Sequence, residues 1–296
     1  MCGIVAVVRR PSDRTVPDLG ALASITAAAT ADLTRATTGA STWVADLEAA
    51  AHHLGTVDAA LRGGPGVRGL IADPAGVARL EAELARQDQL LTDFDATLDA
   101  GLAVAAAEAG EALNAALVEV KDRVWALRHD RLATASAVAQ LAGTLRSEAA
   151  LDGFLSMEVA LASIDRLEVR GRDSAGVEVI VREHALDLDS ADVLAKCADR
   201  TDSLHRSCSV RCVDGAICFV YKAAAEIGEL GDNVAMLRAA ITGDELLHAA
   251  LANSTADVVI LGHTRWASVG IISEANAHPH DHAEVSRFGP SYAAAA

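Results

Sequence analysis

The chain has few basic residues, few aromatic residues and no long apolar run. In 296 residues, 25 Lys and Arg stand against 41 Asp and Glu, which leaves a formal net charge of −16 at pH 7. This surplus of negative charge repels phosphate backbones and anionic lipid, so it excludes charge-driven binding of nucleic acid or membranes. No apolar run approaches the roughly 20 residues that cross a bilayer. Aromatic residues make up only 3%, and abundant alanine and leucine favour helix over an all-β sandwich.

An export signal and a pattern of paired cysteines are also lacking. The start of the chain is apolar at once and then meets Arg9-Arg10-Pro11, which is unlike a signal peptide with its charged beginning and small-residue cleavage site. The cysteines are odd in number and show no CxxC spacing. We therefore expect a cytoplasmic protein with reduced thiols. The five cysteines are Cys2, Cys197, Cys208, Cys212 and Cys218.

The hydrophobic pattern changes twice along the chain. Residues 1–8 are rich in Ile and Val and predict a buried strand. Residues 18–150 show amphipathic stripes at helical spacing, with glycine- and proline-rich breaks at 63–66 and 73–76, and predict long antiparallel helices. Towards the C-terminus the pattern alternates. Helices are expected near 148–168, 187–198 and 222–252, and strands at 174–181, 216–221 and 257–262.

Cys2 is the first candidate catalytic residue. If Met1 is removed, Cys2 carries both a thiol nucleophile and a free α-amino group. An α-amine titrates at about 7.7–8.0, so it can accept the thiol proton directly or through one water, without a separate histidine. Gly3 would let a substrate approach the backbone closely. The alternative is that Cys2 is an incidental residue of a buried strand.

Two later segments combine predicted strands with charged side chains. The sequence LEVRGRDSAG joins a helix to a strand through a turn that contains Arg170 and Asp173, and this turn is either a positioning element of a site or a well-capped loop. In GHTRWAS, a strand delivers His263, Arg265 and Trp266 into a loop. Arg265 offers a planar fork suited to a carboxylate, and Trp266 could cover a small polar ligand and exclude water.

Together these segments resemble the glutaminase domain of class II glutamine amidotransferases. The resemblance rests on MCGIVAVV, LEVRGRDSAGVEV, and LGHTRWASVG followed by SEANAHPH. Within that family the motifs are most similar to those of the glutamine–fructose-6-phosphate aminotransferase branch, where the corresponding stretches read approximately MCGIVG, LEYRGYDSAG, and HTRWATHG followed by NAHPH. The three motifs occur in the same order and cover less than a fifth of the chain.

The resemblance implies an α+β N-terminal-nucleophile fold, an αββα sandwich of two stacked sheets between helical layers. It implies that Cys2 attacks the side-chain carbonyl of glutamine, forms a γ-glutamyl thioester and releases ammonia, after which water liberates glutamate. A sugar-phosphate isomerase region, absent from this chain, would use the ammonia to aminate a sugar phosphate such as fructose 6-phosphate to glucosamine 6-phosphate. The other implied roles are carboxylate binding by Arg265, gating by Trp266, pocket lining by Ser268, and support of the site by Arg170, Asp173 and His263.

Several residues depart from the family pattern. Arg172 stands in place of a tyrosine, Ser268 of a threonine and Val269 of a histidine. Family members have an Asn-Gly pair after NAHPH that builds the oxyanion hole, whereas none follows His280, and losing one such donor costs about 10²–10³ in rate. We therefore expect a C-terminally incomplete amidotransferase domain at 1–10 and 150–285, a helical insertion at 11–149 and a tail at 286–296.

Two functions are compatible with these motifs. The chain is either the glutaminase portion of an amidotransferase or a catalytically inactive amidotransferase scaffold whose helical insertion serves as an interaction arm. Association into a homo-oligomer is open in both cases. No cofactor is expected. A metal site is not expected either, because Pro279 interrupts the histidine run at 278–282 and NAHPH already belongs to the family motif.

Overall fold

The computed structural model describes residues 2–38, 42–99, 103–225, 229–268 and 270–280. These residues divide into two compact units, an α+β unit and a helical unit.

The helical unit is close to the insertion expected at 11–149, but it ends earlier in the chain. One unit contains the described residues up to Pro11 and those from Val138 onward, and the other contains Ser12–Ala137. Residues 138–149, which the sequence analysis assigns to the insertion, group with the α+β unit. No helix in the described part of the chain combines the length and the apolar character needed to cross a membrane.

The helical unit follows the predicted amphipathic pattern. Leu80, Leu84 and Leu127 occupy positions at helical spacing and are no more than 2% exposed. Its helices are α1 Leu19–Thr38, α2 Trp43–Ala60, α3 Gly63–Ala72, α4 Pro74–Asp99, α5 Ala103–Trp125 and the first part of α6 Ala133–Ala142, with a π-helical turn at Ala126–Leu132.

The glycine- and proline-rich breaks expected in this unit are the first turns of helices. Helix α3 begins at Gly63 and α4 at Pro74. Proline is tolerated in a first turn because its missing N–H would have no partner within the helix there. These sequences therefore mark where helices begin, rather than separating helices as extended linkers.

A buried carboxylate organises charges in the helical unit. Asp58 is 1% exposed and accepts hydrogen bonds from Arg62 Nε at 3.1 Å and from Arg131 Nε at 2.8 Å. Burial opposes ionisation of Asp58, but the hydrogen bonds from Arg62 and Arg131 outweigh it and lower its pKa. The end of α2 and the π-helical turn are thus tied to one charge.

The α+β unit is built on one antiparallel sheet of five strands, in the order β1-β5-β2-β4-β3. The four strands predicted from the sequence are all present. The strands are β1 Gly3–Val8, β2 Ser174–Arg182, β3 Ser209–Val213, β4 Ala216–Ala223 and β5 Asp257–Arg265. The helices of the unit, beside the end of α6, are α7 Glu148–Leu167, α8 Ala191–Ala198, α9 Asp232–Thr242 and α10 Glu245–Leu251.

Helix α7 packs against one face of this sheet. Its start is capped by Ser147, whose hydroxyl accepts a hydrogen bond from Ala150 N at 3.2 Å. Phe154 and Ile164 on its inner face are fully buried. A Cβ at Gly262 of β5 would lie 2.9 Å from Ile164 Cδ1, so the absence of a side chain at Gly262 lets helix and sheet approach closely.

The other face of the sheet carries exposed apolar side chains. Ile4 is 80% exposed, Val8 70% and Leu261 41%. The β1–β5 register and the alternation of side chains along each strand put all three on the same face. This part of the face is uncovered in the described chain.

Three elements differ from the sequence-based expectation. The helical stretch expected at 222–252 begins within β4, and its described helices are the two separate helices α9 and α10. Strand β3 was not predicted, although Asp214-Gly215 between β3 and β4 is a strong two-residue hairpin signal, and both residues have positive φ (51° and 77°). The helix expected at 187–198 begins only at Ala191, because Ser190 caps it by accepting a hydrogen bond from Val193 N.

Candidate active site

Cys2 lies directly before β1 and is exposed. The next residue, Gly3, pairs with Thr264 of β5, and Gly3 N donates a hydrogen bond to Thr264 Oγ1 at 3.1 Å. A Cβ at Gly3 would lie 2.7 Å from Leu167 Cδ1, so a larger residue would force this contact apart. The candidate nucleophile is therefore attached to a closely packed point of the sheet.

Asp173 and Arg265 lie at the same end of the sheet as Cys2. The β1–β5 and β5–β2 registers bring together the start of β1, the end of β5 and the start of β2. Asp173 N donates to Arg265 O at 3.1 Å and continues the pairing of β2 with β5. Segments that are far apart in the sequence, each carrying one of the motifs, thus meet on three adjacent strands.

The carboxylate of Asp173 fixes the turn that follows β5. Its Oδ2 accepts a hydrogen bond from Ala267 N at 2.5 Å. Trp266, between Arg265 and Ala267, has a side chain that is 51% exposed. Ser268 is also exposed, and its N donates to Trp266 O at 3.0 Å. The structure thus places Trp266 and Ser268 on the surface, in a turn held by Asp173.

The side chain of Arg265 is buried and holds the loop beyond this turn. Arg265 is 7% exposed, and its Nη1 donates to Ile271 O at 3.4 Å. Asn276 Nδ2 donates to the same carbonyl oxygen at 2.9 Å. Gly270 has a φ of 84°, and a Cβ at this position would be in ordinary contact with Arg265 Nη2, at 3.5 Å. A planar guanidinium is also the group best suited to binding a carboxylate.

Arg170 is the exposed last residue of a short 3₁₀ turn between α7 and β2. The turn is anchored by Glu168, which is 1% exposed and accepts a hydrogen bond from Gly231 N at 2.6 Å. Burial raises the pKa of Glu168, and the hydrogen bond from Gly231 only partly opposes this. Asn233 Nδ2 adds a second anchor by donating to Arg172 O at 2.9 Å.

Three residues that position the site were not singled out from the sequence. They are Thr264, Glu168 and Asn233, which hold β1 and the turn before β2 through the contacts given above. Thr264 and Glu168 lie inside the motifs. Each is a polar residue at the end of an apolar strand or helix, and this position was the signal that could have identified them. Asn233 lies outside the motifs in α9, and no local pattern identifies it.

The rings of three histidines lie in contact next to Arg265, one pair tilted and the other edge to face. The ring centroids of His263 and His278 are 4.3 Å apart, and those of His278 and His280 are 4.7 Å apart. Burial, followed by the positive charge of neighbouring groups, lowers the pKa of His263 to about 4 and that of His280 to about 4. For His263 these neighbours are His278 and Arg265, and for His280 Lys222 comes first. Both rings are therefore neutral at pH 7.

The segment that carries His278 lies across strand β2 at Gly176. In the sheet, Gly176 is flanked by His263 of β5 on one side and by Lys222 of β4 on the other. A Cβ at Gly176 would lie 1.9 Å from His278 O, so this contact requires glycine. Gly176 of the second motif is thus in direct contact with the NAHPH part of the third motif.

The described residues contain no group of three or more His, Cys, Asp or Glu side chains arranged to hold a metal ion. Three earlier expectations concern residues outside the described part of the chain: the Val269 departure, the continuation of the histidine run at 281–282 and the tail at 286–296.

A separate cavity of about 750 Å³ lies in the α+β unit, next to α8 and α10. Its described lining includes Arg200 and Asp244 but none of the predicted site residues. Arg200 Nη1 donates to Asp244 Oδ1 at 2.8 Å, and Tyr221 OH donates to Asp244 Oδ2 at 2.7 Å. Asp244 also caps α10 by accepting from Leu246 N and Leu247 N. These contacts give Asp244 a structural role in the cavity wall.

The fold and site define the chain as an α+β protein with a candidate thiol nucleophile at the end of an edge strand. No family model, curated protein or solved structure matches this chain. The resemblance to class II amidotransferases therefore rests on the three sequence motifs.

Proposed function

We propose that this chain is a glutamine amidotransferase domain in which Cys2 is the nucleophile. The observation that carries the proposal is that the ends of β1, β5 and β2 are adjacent, so that Cys2, Arg265 and Asp173 lie together at one end of the sheet. A thiol and a guanidinium at the same end of the sheet supply a nucleophile and a group that can bind the carboxylate of an amino acid.

In the proposed reaction, removal of Met1 exposes the α-amine of Cys2. This amine accepts the thiol proton, and the sulfur attacks the side-chain carbonyl carbon of glutamine to form a tetrahedral intermediate. The intermediate collapses to a γ-glutamyl thioester as the protonated amine returns its proton to the departing ammonia. Water then attacks the thioester, releases glutamate and restores the thiol.

Arg265 is proposed to bind the α-carboxylate of glutamine, and Asp173 to position the turn that carries Trp266 and Ser268. The exposure of Trp266 suits a side chain that closes over a bound substrate. Arg170 and His263 are proposed to support the site from the turn before β2 and from β5. The ammonia is proposed to be used for amination of a sugar phosphate such as fructose 6-phosphate.

The N-terminal-nucleophile αββα sandwich remains part of the proposal. It is supported by the layer of α7 on one face of the sheet and by the exposed side chains of Ile4, Val8 and Leu261 on the other. A second sheet packed on that face would bury these side chains, and this burial would stabilise the fold by about 25 cal/mol for each Å² of apolar surface removed from water.

The experiment that tests the proposal measures glutamate release from glutamine and the intact mass of the purified protein. We expect loss of Met1, release of glutamate by the wild type, and loss of that activity in Cys2→Ala but not in Cys208→Ala, a matched change at another exposed cysteine. A diazoketone analogue of glutamine should label the wild type and Cys208→Ala only. Retained Met1 together with equal labelling of all three proteins would refute the proposal.

A second function is favoured by exposed apolar side chains on helix α5. Val118 is 47% exposed and Trp125 54% exposed, and their spacing of seven residues puts them on one face of the helix. This face supports the alternative in which the helical unit is an interaction arm. Light scattering of the wild type and of Trp125→Glu would test it: a self-association that Trp125→Glu abolishes is expected, and identical monomeric masses would refute it.

A further inference from the structure

Two cysteines outside the candidate active site are close enough to interact electrostatically. Cys212 is exposed and Cys197 is partly exposed. Burial raises the pKa of the Cys197 thiol, and the neighbouring thiol of Cys212 raises it further. The pair lies between the end of α8 and the edge strand β3.

Backbone contacts hold these two elements together at this point. Arg200, which follows α8, accepts a hydrogen bond on its O from Val210 N of β3 at 3.0 Å. Its side-chain Nε donates to Cys208 O at 2.7 Å, just before β3. Cys197 lies three residues before Arg200, about one helical turn, and Cys212 lies two residues after Val210 on the same face of β3. The Arg200 guanidinium lies over the Phe219 ring, 5.7 Å from its centroid, and Phe219 is on the same face of the sheet as Cys212. The end of α8 therefore lies on the face from which the Cys212 side chain projects.

We propose that Cys197 and Cys212 form a reversible disulfide that links α8 to β3. The oxidant is a small-molecule disulfide such as glutathione disulfide. The sulfur of Cys212, as thiolate, attacks one sulfur of this disulfide, forms a mixed disulfide and releases one glutathione thiolate. Cys197 then loses its proton to solvent, and its sulfur displaces the second glutathione. Two protein thiols are oxidised to one disulfide, and one glutathione disulfide is reduced to two thiols.

The other cysteines of this region are less suited to the reaction. Cys218 is 5% exposed, and its neighbour in the hairpin register is Arg211, so its side chain points to the opposite face of the sheet from that of Cys212. Cys208 is also exposed, but it lies before the first residue of β3, and its backbone has a positive φ of 66°. Its side chain is therefore not on the strand position that Cys212 occupies. The disulfide would close a short loop and fix α8, which supplies part of the cavity wall, against the sheet.

The test uses the whole chain in glutathione redox buffers, with alkylation of remaining thiols and non-reducing trypsin digestion. Cleavage after Lys196, Arg200, Arg211 and Lys222 places Cys197 in one peptide and Cys212 with Cys218 in another, while Cys208 falls in a third. We expect a cross-link between the first two peptides in monomeric protein, lost on addition of dithiothreitol. The linked peptide should be absent from Cys197→Ser and Cys212→Ser but present in Cys208→Ser and Cys218→Ser.

Other outcomes would overturn the proposal. These are a mixed disulfide with glutathione that never converts to the cross-link, a link that needs Cys208 or Cys218, or free thiols throughout an oxidising titration. Circular dichroism of each serine variant shows that it is folded, and serine is close in size to cysteine. Repeating the digestion with Cys2→Ala separates the result from glutaminase activity, since the proposed cross-link does not involve Cys2.

Discussion

The hydroxyl of Thr264 fixes the start of the strand that carries the candidate nucleophile. Thr264 is fully buried, and its Oγ1 accepts the hydrogen bond of Gly3 N at 3.1 Å. The perturbation that isolates this bond is the pair Thr264→Ser and Thr264→Ala, because the two variants differ by the hydroxyl alone. Serine keeps the acceptor and loses one methyl group, whereas alanine also leaves the amide of Gly3 without this partner.

The expected magnitude follows from the position of Gly3. An unsatisfied buried amide costs about 1–3 kcal/mol, and the lower end applies here because Gly3 is only partly buried and opening of the strand lets water reach it. The loss of the methyl group adds about 0.8 kcal/mol in both variants. Alanine should therefore be about 1 kcal/mol less stable than serine at the start of β1, which is roughly a fivefold larger open population.

Hydrogen exchange followed by mass spectrometry measures this opening directly. The N-terminal peptide that contains β1 should exchange roughly fivefold faster in Thr264→Ala than in Thr264→Ser, while peptides of the helical unit exchange equally in both. Equal exchange of the β1 peptide in the two variants would refute the reasoning, because the hydroxyl would then contribute nothing to holding Gly3.

Three further predictions concern other contacts of the α+β unit. Gly176→Ala should displace the segment at His278, because its Cβ would lie 1.9 Å from the carbonyl oxygen of His278. We expect the free energy of unfolding in urea to fall by about 1–3 kcal/mol and the amides of that segment to exchange faster. Unchanged exchange would contradict this. Asp244→Asn should lower the unfolding free energy by about 3 kcal/mol because the Arg200 guanidinium loses its charged partner, and a change under about 0.5 kcal/mol would show that the pair is dispensable. The third prediction follows from the pKa of His263, which folding lowers from 6.5 to about 4. Between these two pH values the unfolded chain binds a proton at His263 that the folded chain does not, so this contribution to stability is complete above pH 6.5 and declines towards pH 4. The urea midpoint should therefore fall between pH 7 and pH 5, and it should fall less in His263→Gln.

The strands could be predicted from the sequence, but their order in the sheet could not. β2, β4 and β5 show as apolar runs because much of each strand is buried. β1 is also an apolar run, but the expectation that it is buried was wrong: it is an edge strand whose residues are alternately half-buried and exposed. The order β1-β5-β2-β4-β3 depends on pairings between residues as distant as Gly3 and Thr264, which no local pattern encodes. Strand β3 was missed because its sequence SVRCV is short and partly polar, as befits an edge strand.

Within the candidate site, the residues proposed to act on substrate were accessible to sequence reasoning, while those that hold them were not. Cys2, Arg265 and Asp173 lie in recognisable motifs and carry chemistry that a pattern can suggest. Thr264 and Glu168 act by accepting backbone hydrogen bonds, and threonine or glutamate in that role looks like any other polar residue. Their contribution becomes visible only when the donor on a distant segment is known.

The place of the helical unit in the chain follows from the energetics of loops. Ser12–Ala137 connects β1 to the rest of the α+β unit, and each doubling of the length of such a connection costs only about 0.6 kcal/mol in closure entropy. A connection that is itself folded into helices has a smaller closure entropy still, because its two ends are already held at a fixed separation. β1, however, is paired with β5 alone among the described strands. The position of Cys2 therefore depends on the β1–β5 ladder and on Thr264, so we expect changes in this ladder to affect the nucleophile more than changes in the helical unit.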